Sequence, residues 1–360
     1  MAADSGKTRP RDAPSLRAVD EARKNDPELI ASVDVACRPG KRTGRGLKAI
    51  REVPIKRAAE ELQLPVHEID TFTGWKPPTP QNEAINLVIA VSFGLLVPPR
   101  ILSGAKYGGL NVHPSLLPDL RGPAPIHHTL LQGRKTTGIT LQTLHPKHFD
   151  QGMILAQTPE LDTPHPDACT PKMLIEYLAP LGGRLLVESL KERLFVPPLE
   201  DAGWYAREGQ KLWHAPKITK QDRHIIWTNS QSTPKPDQHT QSPVTWTAEE
   251  ILRRDRVLGD LWDTTTYQGL LPEEGKAKRV VFHGWEEVMG DDSVLESLAS
   301  GDRLEVGVPY VTENSNAPPY LYFKTQDEPP KLVRVTSCTV EGGKRGAGIS
   351  EMMAIRTRRS

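Results

Sequence analysis

The sequence predicts two folded regions: a mostly parallel, doubly wound α/β sheet to about residue 200, then a small antiparallel β-barrel. Three observations lead there. Strand-like and helix-like segments alternate from residue 29 to residue 194, the pattern of a sheet with helices on its faces. Residues 85–92 (INLVIAVS) form an almost unbroken apolar run, as in a strand covered on both faces. After Pro197 the texture changes to short β-rich segments separated by polar turns, which suits a small barrel.

Composition bounds the possibilities further. A chain of 360 residues has room for two domains. Charged residues make up 25% and the net charge is +1, so any contact with nucleic acid has to come from a local patch. Cys37, Cys169 and Cys338 are far apart and lack metal-type spacing, which fits a reducing compartment and gives no expectation of a metal site. No run approaches the roughly 18 apolar residues that a membrane helix needs, so no membrane partner is expected. Residues 1–14 are a polar leader in which Asp4 and Asp12 sit beside basic residues, a poor transit peptide.

Residues 15–24 read as a helix, with Leu16, Val19 and Ala22 at helical spacing. Residues 29–37 read as a strand. The following stretch, 38–56, is glycine-rich and basic, with Arg38, Lys41, Arg42, Arg45, Lys48, Arg51 and Lys56 against Glu52. Its glycines argue for a mobile arm that orders on RNA rather than a helix face. Pro54 opens a second helix, since proline is tolerated in a first turn. The 85–92 strand is followed by Phe93, Gly94, Leu95 and Leu96. Residues 138–143 and 153–158 look like two more strands, and 172–194 like a helix with a weak point at Gly182–Gly183. The first folded domain therefore spans 15–200, with a linker over 201–227. Residues 228–243 are a polar, low-complexity insertion, and 244–345 carry the barrel. Within the barrel region Thr247 is the expected cap of a helix over 248–258. Strands are expected over 277–283, 303–308, 320–325 and 331–340. Residues 346–360 read as a frayed basic tail.

The chemistry concentrates between Gly108 and Pro125. Asn111 and His113 lie two apart on a short strand, so both side chains project from one face just before Pro114 ends the ladder. Ligands of open α/β sheets sit beyond the carboxyl ends of strands. Asp150 is the natural third member, because a carboxylate near an imidazole orients it and favours its protonated form. An amide NH₂ and an imidazolium aimed at one point make an oxyanion site for acyl transfer. Ser115 lies in an apolar SLLP turn rather than a G-x-S-x-G elbow, which favours direct transfer to an amine over a covalent intermediate. His113, His145 and Asp150 lack the spacing of a zinc hydrolase.

N-x-H at Asn111–His113, SLLP at 115–118, RGPAPI at 121–126 and FDQGMIL at 149–155 together resemble the folate-dependent formyltransferases. The resemblance is closest to the branch that formylates methionyl initiator tRNA. It extends to the basic CRPGKRTGRG loop and to HAPKITKQDRHIIW, similar to the junction into that branch's C-terminal barrel. It covers roughly residues 15–345. It implies a Rossmann-like formyltransferase domain followed by an OB-like, tRNA-binding barrel. Asn111 would bond the formyl oxygen, His113 would stabilise the tetrahedral oxyanion, and Asp150 would hold His113 and move protons. Phe93, Gly94, Leu95, Ser115, Leu116, Leu117 and Pro118 would line the folate pocket. The donor would be 10-formyltetrahydrofolate, and the acceptor the α-amine of methionyl initiator tRNA, gripped by Arg38, Lys41, Arg42, Arg45 and Lys48. The resemblance also implies work in mitochondria, and the expected state is a monomer.

One departure is visible. The family's fold opens with a strand and a glycine turn before the first helix, and residues 1–14 are too polar to form that strand. The expectation is a chain lacking a central strand, which would leave backbone groups unpaired on both neighbours. Alternatives in the same superfamily are a formyltetrahydrofolate hydrolase and a formyltransferase for a nucleotide or sugar amine. A non-catalytic RNA-binding relative is a third. The basic loop and barrel favour tRNA over the first two.

Overall fold

The computed structural model describes residues 13–43, 46, 48–203, 211–227, 244–288, 305–311 and 319–359. The chain divides into two compact units. Among the described residues, one unit holds those up to 129 together with 134–166 and 171–217, and the other holds 130–133, 167–170 and those from 218 onward. The low-complexity stretch 228–243 and the leader up to residue 12 lie outside the described residues.

The first unit opens with α1 (Pro14–Asn25), as the spacing predicts, burying Val19 and Ala22. β1 (Val35–Cys37) follows, shorter than expected. Next come the basic residues of β2 (Lys41–Thr43) and β3 (Ala49–Arg51), then α2 (Pro54–Glu61), begun by its proline, and β4 (Val66–Glu68). β5 (Val88–Ala90) is the 85–92 run cut to three half-buried residues, so it is less covered than its apolarity suggested. α3 (Pro99–Gly104) leads to β6 (Gly109–His113), the strand of the N-x-H motif. α4 (Pro125–Leu131), β7 (Thr136–Thr137), β8 (Thr140–Thr143), β9 (Ile154–Gln157), β10 (Leu161–Asp162) and α5 (Pro171–Lys191) follow in turn.

The expectation of a mostly parallel sheet holds only in part. β5 and β6 run parallel, but β6–β8 and β8–β9 are antiparallel, giving the order β5-β6-β8-β9. β1 and β4 form a separate parallel ladder that shares no hydrogen-bonded strand with β5 among the described residues. The antiparallel β8–β9 pair follows from a short connection, a loop too brief for a helical crossover. Apolar Leu110, Leu141, Leu155 and Leu186 bind sheet and α5 into one core.

Gly182 and Gly183 are not a weak point. A Cβ on Gly182 would stand 3.0 Å from a methyl of Val112, and one on Gly183 would stand 3.2 Å from Ala18 Cβ. The pair lets α5 lie close to both the site strand and α1, and α5 runs through them without a break.

In the second unit α6 (Ala248–Leu258) has the expected cap, with the Thr247 hydroxyl accepting from Glu250 N at 3.2 Å. β11 (Leu261–Asp263), α7 (Thr266–Leu270), β12 (Val280–Glu287), β13 (Tyr310–Val311), β14 (Leu321–Lys324) and β15 (Leu332–Val340) follow. The strands form one antiparallel sheet in the order β11-β12-β15-β14-β13 around Phe282, Trp285 and Phe323. Its edges β11 and β13 do not pair with each other, so the described strands make an open sheet rather than a closed barrel. The expected frayed end is instead α8 (Gly348–Arg359), because Ile349 and Met352, three apart, bury themselves in this core. No helix among the described residues is long and apolar enough to cross a membrane.

Candidate functional site

β5 and β6 are parallel neighbours, so their carboxyl ends open on the same side of the first unit. Phe93, Gly94 and Leu95 continue from β5, while Asn111 and His113 stand at the end of β6. That placement is where a ligand of an α/β sheet is expected.

Asn111 sits directly opposite Gln142 of β8, and His113 opposite Thr140. The Asn111 amide donates from Nδ2 to Ala90 O at 3.2 Å and accepts at Oδ1 from Gln142 Nε2 at 3.2 Å. A second Nδ2 hydrogen is left for a substrate oxygen. His113 is 5% exposed. Its Nε2 lies 3.0 Å from Leu120 O, and its Nδ1 faces Asp150 Oδ1 at 3.4 Å, an ion-pair separation longer than a good hydrogen bond. Both partners accept, so the ring is best satisfied with hydrogen on both nitrogens. Burial pushes the imidazolium below its usual pKa, against the charge of Asp150 and the Leu120 carbonyl, which both pull it up.

Asp150 is held by three elements. Its Oδ2 accepts from Gly122 N at 2.9 Å, and its Oδ1 accepts from Gln142 Nε2 at 3.2 Å and faces His113. Asp150 at φ 54° and Leu120 at φ 56° are both left-handed without being glycine. The two groups facing the ring of His113 thus each sit in a backbone region that costs roughly 1–2 kcal/mol. Strain concentrated this way is typical of working sites.

The motif glycines have steric reasons. A Cβ on Gly122 would lie 2.4 Å from Ala215 O, at a φ of 125° that side chains rarely adopt. A Cβ on Gly152 would lie 1.7 Å from Thr143 O, where β8 and β9 shift register beside Gln142. Gly152→Ala is therefore expected to destabilise the unit at the upper end of the ~1–3 kcal/mol range for overpacking. The wall it meets is backbone, which cannot swing aside. Denaturant unfolding checks this, and a midpoint equal to that of the parent would show that the loop yields freely.

The SLLP turn is anchored from beneath. Thr140 Oγ1 donates to Ser115 O at 2.7 Å and accepts from Leu117 N at 3.0 Å and Gln157 Nε2 at 2.8 Å. Ser115 is buried and gives its hydroxyl hydrogen to Asp119 O at 2.8 Å, not to His113. A Ser115 nucleophile activated by His113 has no support in this geometry. Leu117 is 1% exposed and belongs to the core, whereas Leu116 and Pro118 are half-buried. Phe93 rests on Phe72 with ring centres 5.7 Å apart, Gly94 is exposed at φ 76°, and Leu95 is half-buried. The loop beyond the turn is tied to the HAPK segment: Leu120 N donates to Trp213 O at 2.8 Å and Ala215 N to Arg121 O at 2.7 Å.

The basic stretch forms a hairpin rather than a structureless arm, with Lys41 opposite Arg51 and Arg42 opposite Ile50. Lys41, Arg42, Lys48 and Arg51 are exposed. Arg38 pairs with Asp70 at 3.2 Å, and Lys56 with Glu68 at 2.7 Å and Glu52 at 3.3 Å, which raises the pKa of Lys56. Arg45 lies outside the described residues. Like charges directly opposed across a hairpin cost stability unless an anion lies between them.

Sequence reasoning missed Gln142, Thr140 and Gln157. A signal was present: Thr140 and Gln142 are polar, two apart, and alternate with apolar Ile139 and Leu141. Period-2 polarity within a buried strand marks a face turned to a polar site.

Residues 14–167 match the family model described as "Formyl transferase". The chain is 31% identical over 308 residues to "Methionyl-tRNA formyltransferase, mitochondrial" of Saccharomyces cerevisiae, covering 75% of this chain and 71% of that one. It is 34% identical over 248 residues to the Homo sapiens protein of the same name, covering 69% of this chain and 54% of that one. "Methionyl-tRNA formyltransferase" of Enterococcus faecalis is 31% identical over 247 residues, covering 65% and 67% respectively. The chain thus spans about half the length of the human relative and about two thirds or more of the other two.

Proposed function

Because the chain belongs to the methionyl-tRNA formyltransferase family, we propose that it transfers the formyl group of 10-formyltetrahydrofolate to the α-amine of methionyl initiator tRNA. The observation that carries this reading is the joined cluster of Asn111, His113 and Asp150 at the end of β6. The amine nitrogen bonds to the formyl carbon and the formyl oxygen takes the charge. Collapse then breaks the bond to the folate nitrogen, which gains a proton while the amine loses one. Asn111 Nδ2 supplies one hydrogen to the oxyanion. The ring N–H of His113 now given to Leu120 O supplies the second, the substrate oxygen taking the carbonyl's place. Asp150 offsets the imidazolium and accepts the amine proton through the cluster.

Phe93, Gly94, Leu95, Leu116 and Pro118 flank the donor, with Ser115 and Leu117 shaping the turn from within. The second unit is assigned as an OB-like fold that contacts the tRNA. The enzyme acts as a monomer, and the mitochondrial relatives support that compartment. Naming of the relatives for methionyl-tRNA disfavours a sugar or nucleotide acceptor. The direct test is to incubate the purified chain with labelled 10-formyltetrahydrofolate and methionyl initiator tRNA. Label in N-formylmethionine is expected, and release of formate alone would replace transfer by hydrolysis.

The hairpin adds a prediction. Lys41→Ala with Arg42→Ala is expected to weaken tRNA binding and flatten its salt dependence by about 0.7–0.9 in log–log slope for each phosphate no longer neutralised. Folate affinity stays unchanged. An unaltered slope would reduce the hairpin to a solvated surface element.

A further inference from the structure

Gln142 is 1% exposed, and its side-chain amide bonds two of the three residues that the proposed chemistry uses, Asn111 and Asp150. Its Oε1 accepts from Gly152 N at 3.1 Å. A backbone N–H can only donate, so this contact fixes which end of the amide faces which way. The NH₂ end is therefore turned to Asn111 Oδ1 and to Asp150 Oδ1, each at 3.2 Å. Asn111 is in turn obliged to accept at Oδ1 and to present Nδ2 as its donor end, as its bond to Ala90 O also requires. Two backbone groups set the polarity of the row: Gly152 N–H sets Gln142, which holds Asp150, and Gln142 together with Ala90 O sets Asn111.

We propose that Gln142 is a positioning residue that keeps the Asn111 amide in its donor orientation and shares the Asp150 carboxylate with His113. The inference rests on the formyl-transfer reading for its catalytic consequence but not for its effect on His113. With the amide gone, Ala90 O alone holds the Asn111 amide, and in any rotamer that gives up that bond the amide oxygen can face a bound formyl oxygen, so that two acceptors meet. Asp150 Oδ1 also loses a competing donor and interacts more strongly with the His113 ring, so the imidazolium is favoured.

Gln142→Leu and Gln142→Glu are the variants. The first has similar bulk and no hydrogen-bonding group, and the second keeps the shape but places a carboxylate against Asn111 Oδ1 and Asp150 Oδ1. Gln142→Leu is expected to lower kcat about tenfold or more, with KM for folate and for tRNA within about twofold. His113 titration, followed by NMR of the labelled ring, is expected to move upward. Gln142→Glu is expected to lose activity where the glutamate is ionised and regain part of it as pH falls, displacing the kcat profile. If Gln142→Leu fails to fold, the glutamate variant decides alone. An unchanged kcat, pH profile and His113 titration in the folded variants would overturn the proposal. A parent chain that transfers no formyl group would instead remove the functional reading. The His113 shift would then still show whether Gln142 governs the cluster.

Discussion

Replacing His113 by alanine is expected to lower formyl transfer about a hundredfold or more, as for the loss of one donor to an oxyanion. The same fall is expected of Asn111→Ala. The two donors differ in how they are held, which gives each variant its own signature. His113 is buried between Leu120 O and Asp150, so its removal leaves a carboxylate with one fewer partner as well as an empty donor site. Asn111 is half-buried and makes one bond to Ala90 O and one to Gln142, so its loss falls more purely on the substrate oxygen. Binding of folate and tRNA involves other residues, so the effect is expected in kcat with little change in KM. Single-turnover transfer by the purified variants, free of parent enzyme, measures this. Full activity in either would remove that residue from the chemistry.

Asp150→Asn is expected to be impaired as severely, for a different reason. The carboxylate faces three donors, Gly122 N–H, Gln142 NH₂ and the ring of His113. An amide has one accepting oxygen, so whichever way it turns, its NH₂ meets another donor. The change also removes the charge that opposes the effect of burial on His113, whose pKa is already lowered. In the variant it falls further. The sign for folding follows from proton binding. A histidine near its ordinary value of about 6.5 when unfolded, and below it when folded, binds more protons in the unfolded chain. Its contribution is therefore fully present above about pH 6.5 and lost as pH falls toward the folded value. Asp150→Asn is expected to steepen that acid-side loss, and His113→Ala to abolish this component. Denaturant midpoints between about pH 5 and 7 check both. An unchanged kcat–pH profile in Asp150→Asn would leave Asp150 a purely structural role.

Local pattern and spacing carried much of the fold and of the candidate site. Pro54 opened its helix where proline is tolerated, and Thr247 capped the next unit's helix with its own hydroxyl, because both effects act within a turn of the chain. Asn111 and His113 were readable as a pair because strand periodicity puts alternate residues on one face whatever lies around them. The family was readable from four short motifs, although the close approaches that require Gly122 and Gly152 are to Ala215 and Thr143, which lie outside those motifs.

Pairings between segments distant in sequence were another matter. The 85–92 run was long and apolar enough for a covered strand, yet only three residues pair, since coverage depends on neighbours that the run does not encode. Gly182–Gly183 read as a weak point by propensity, but close approach of Val112 and Ala18 reverses that meaning. The end of the chain read as frayed from its arginines, while Ile349 and Met352 find a core only in the folded second unit. At the site the sequence alone determined which groups are present: an amide, an imidazole and a carboxylate. Tertiary structure decided their wiring, with Leu120 and Asp150 on the two ring nitrogens and Gln142 between Asn111 and Asp150. The physical reason is that hydrogen-bond polarity is set by which donor faces which acceptor across strands, and no spacing along one strand carries that information.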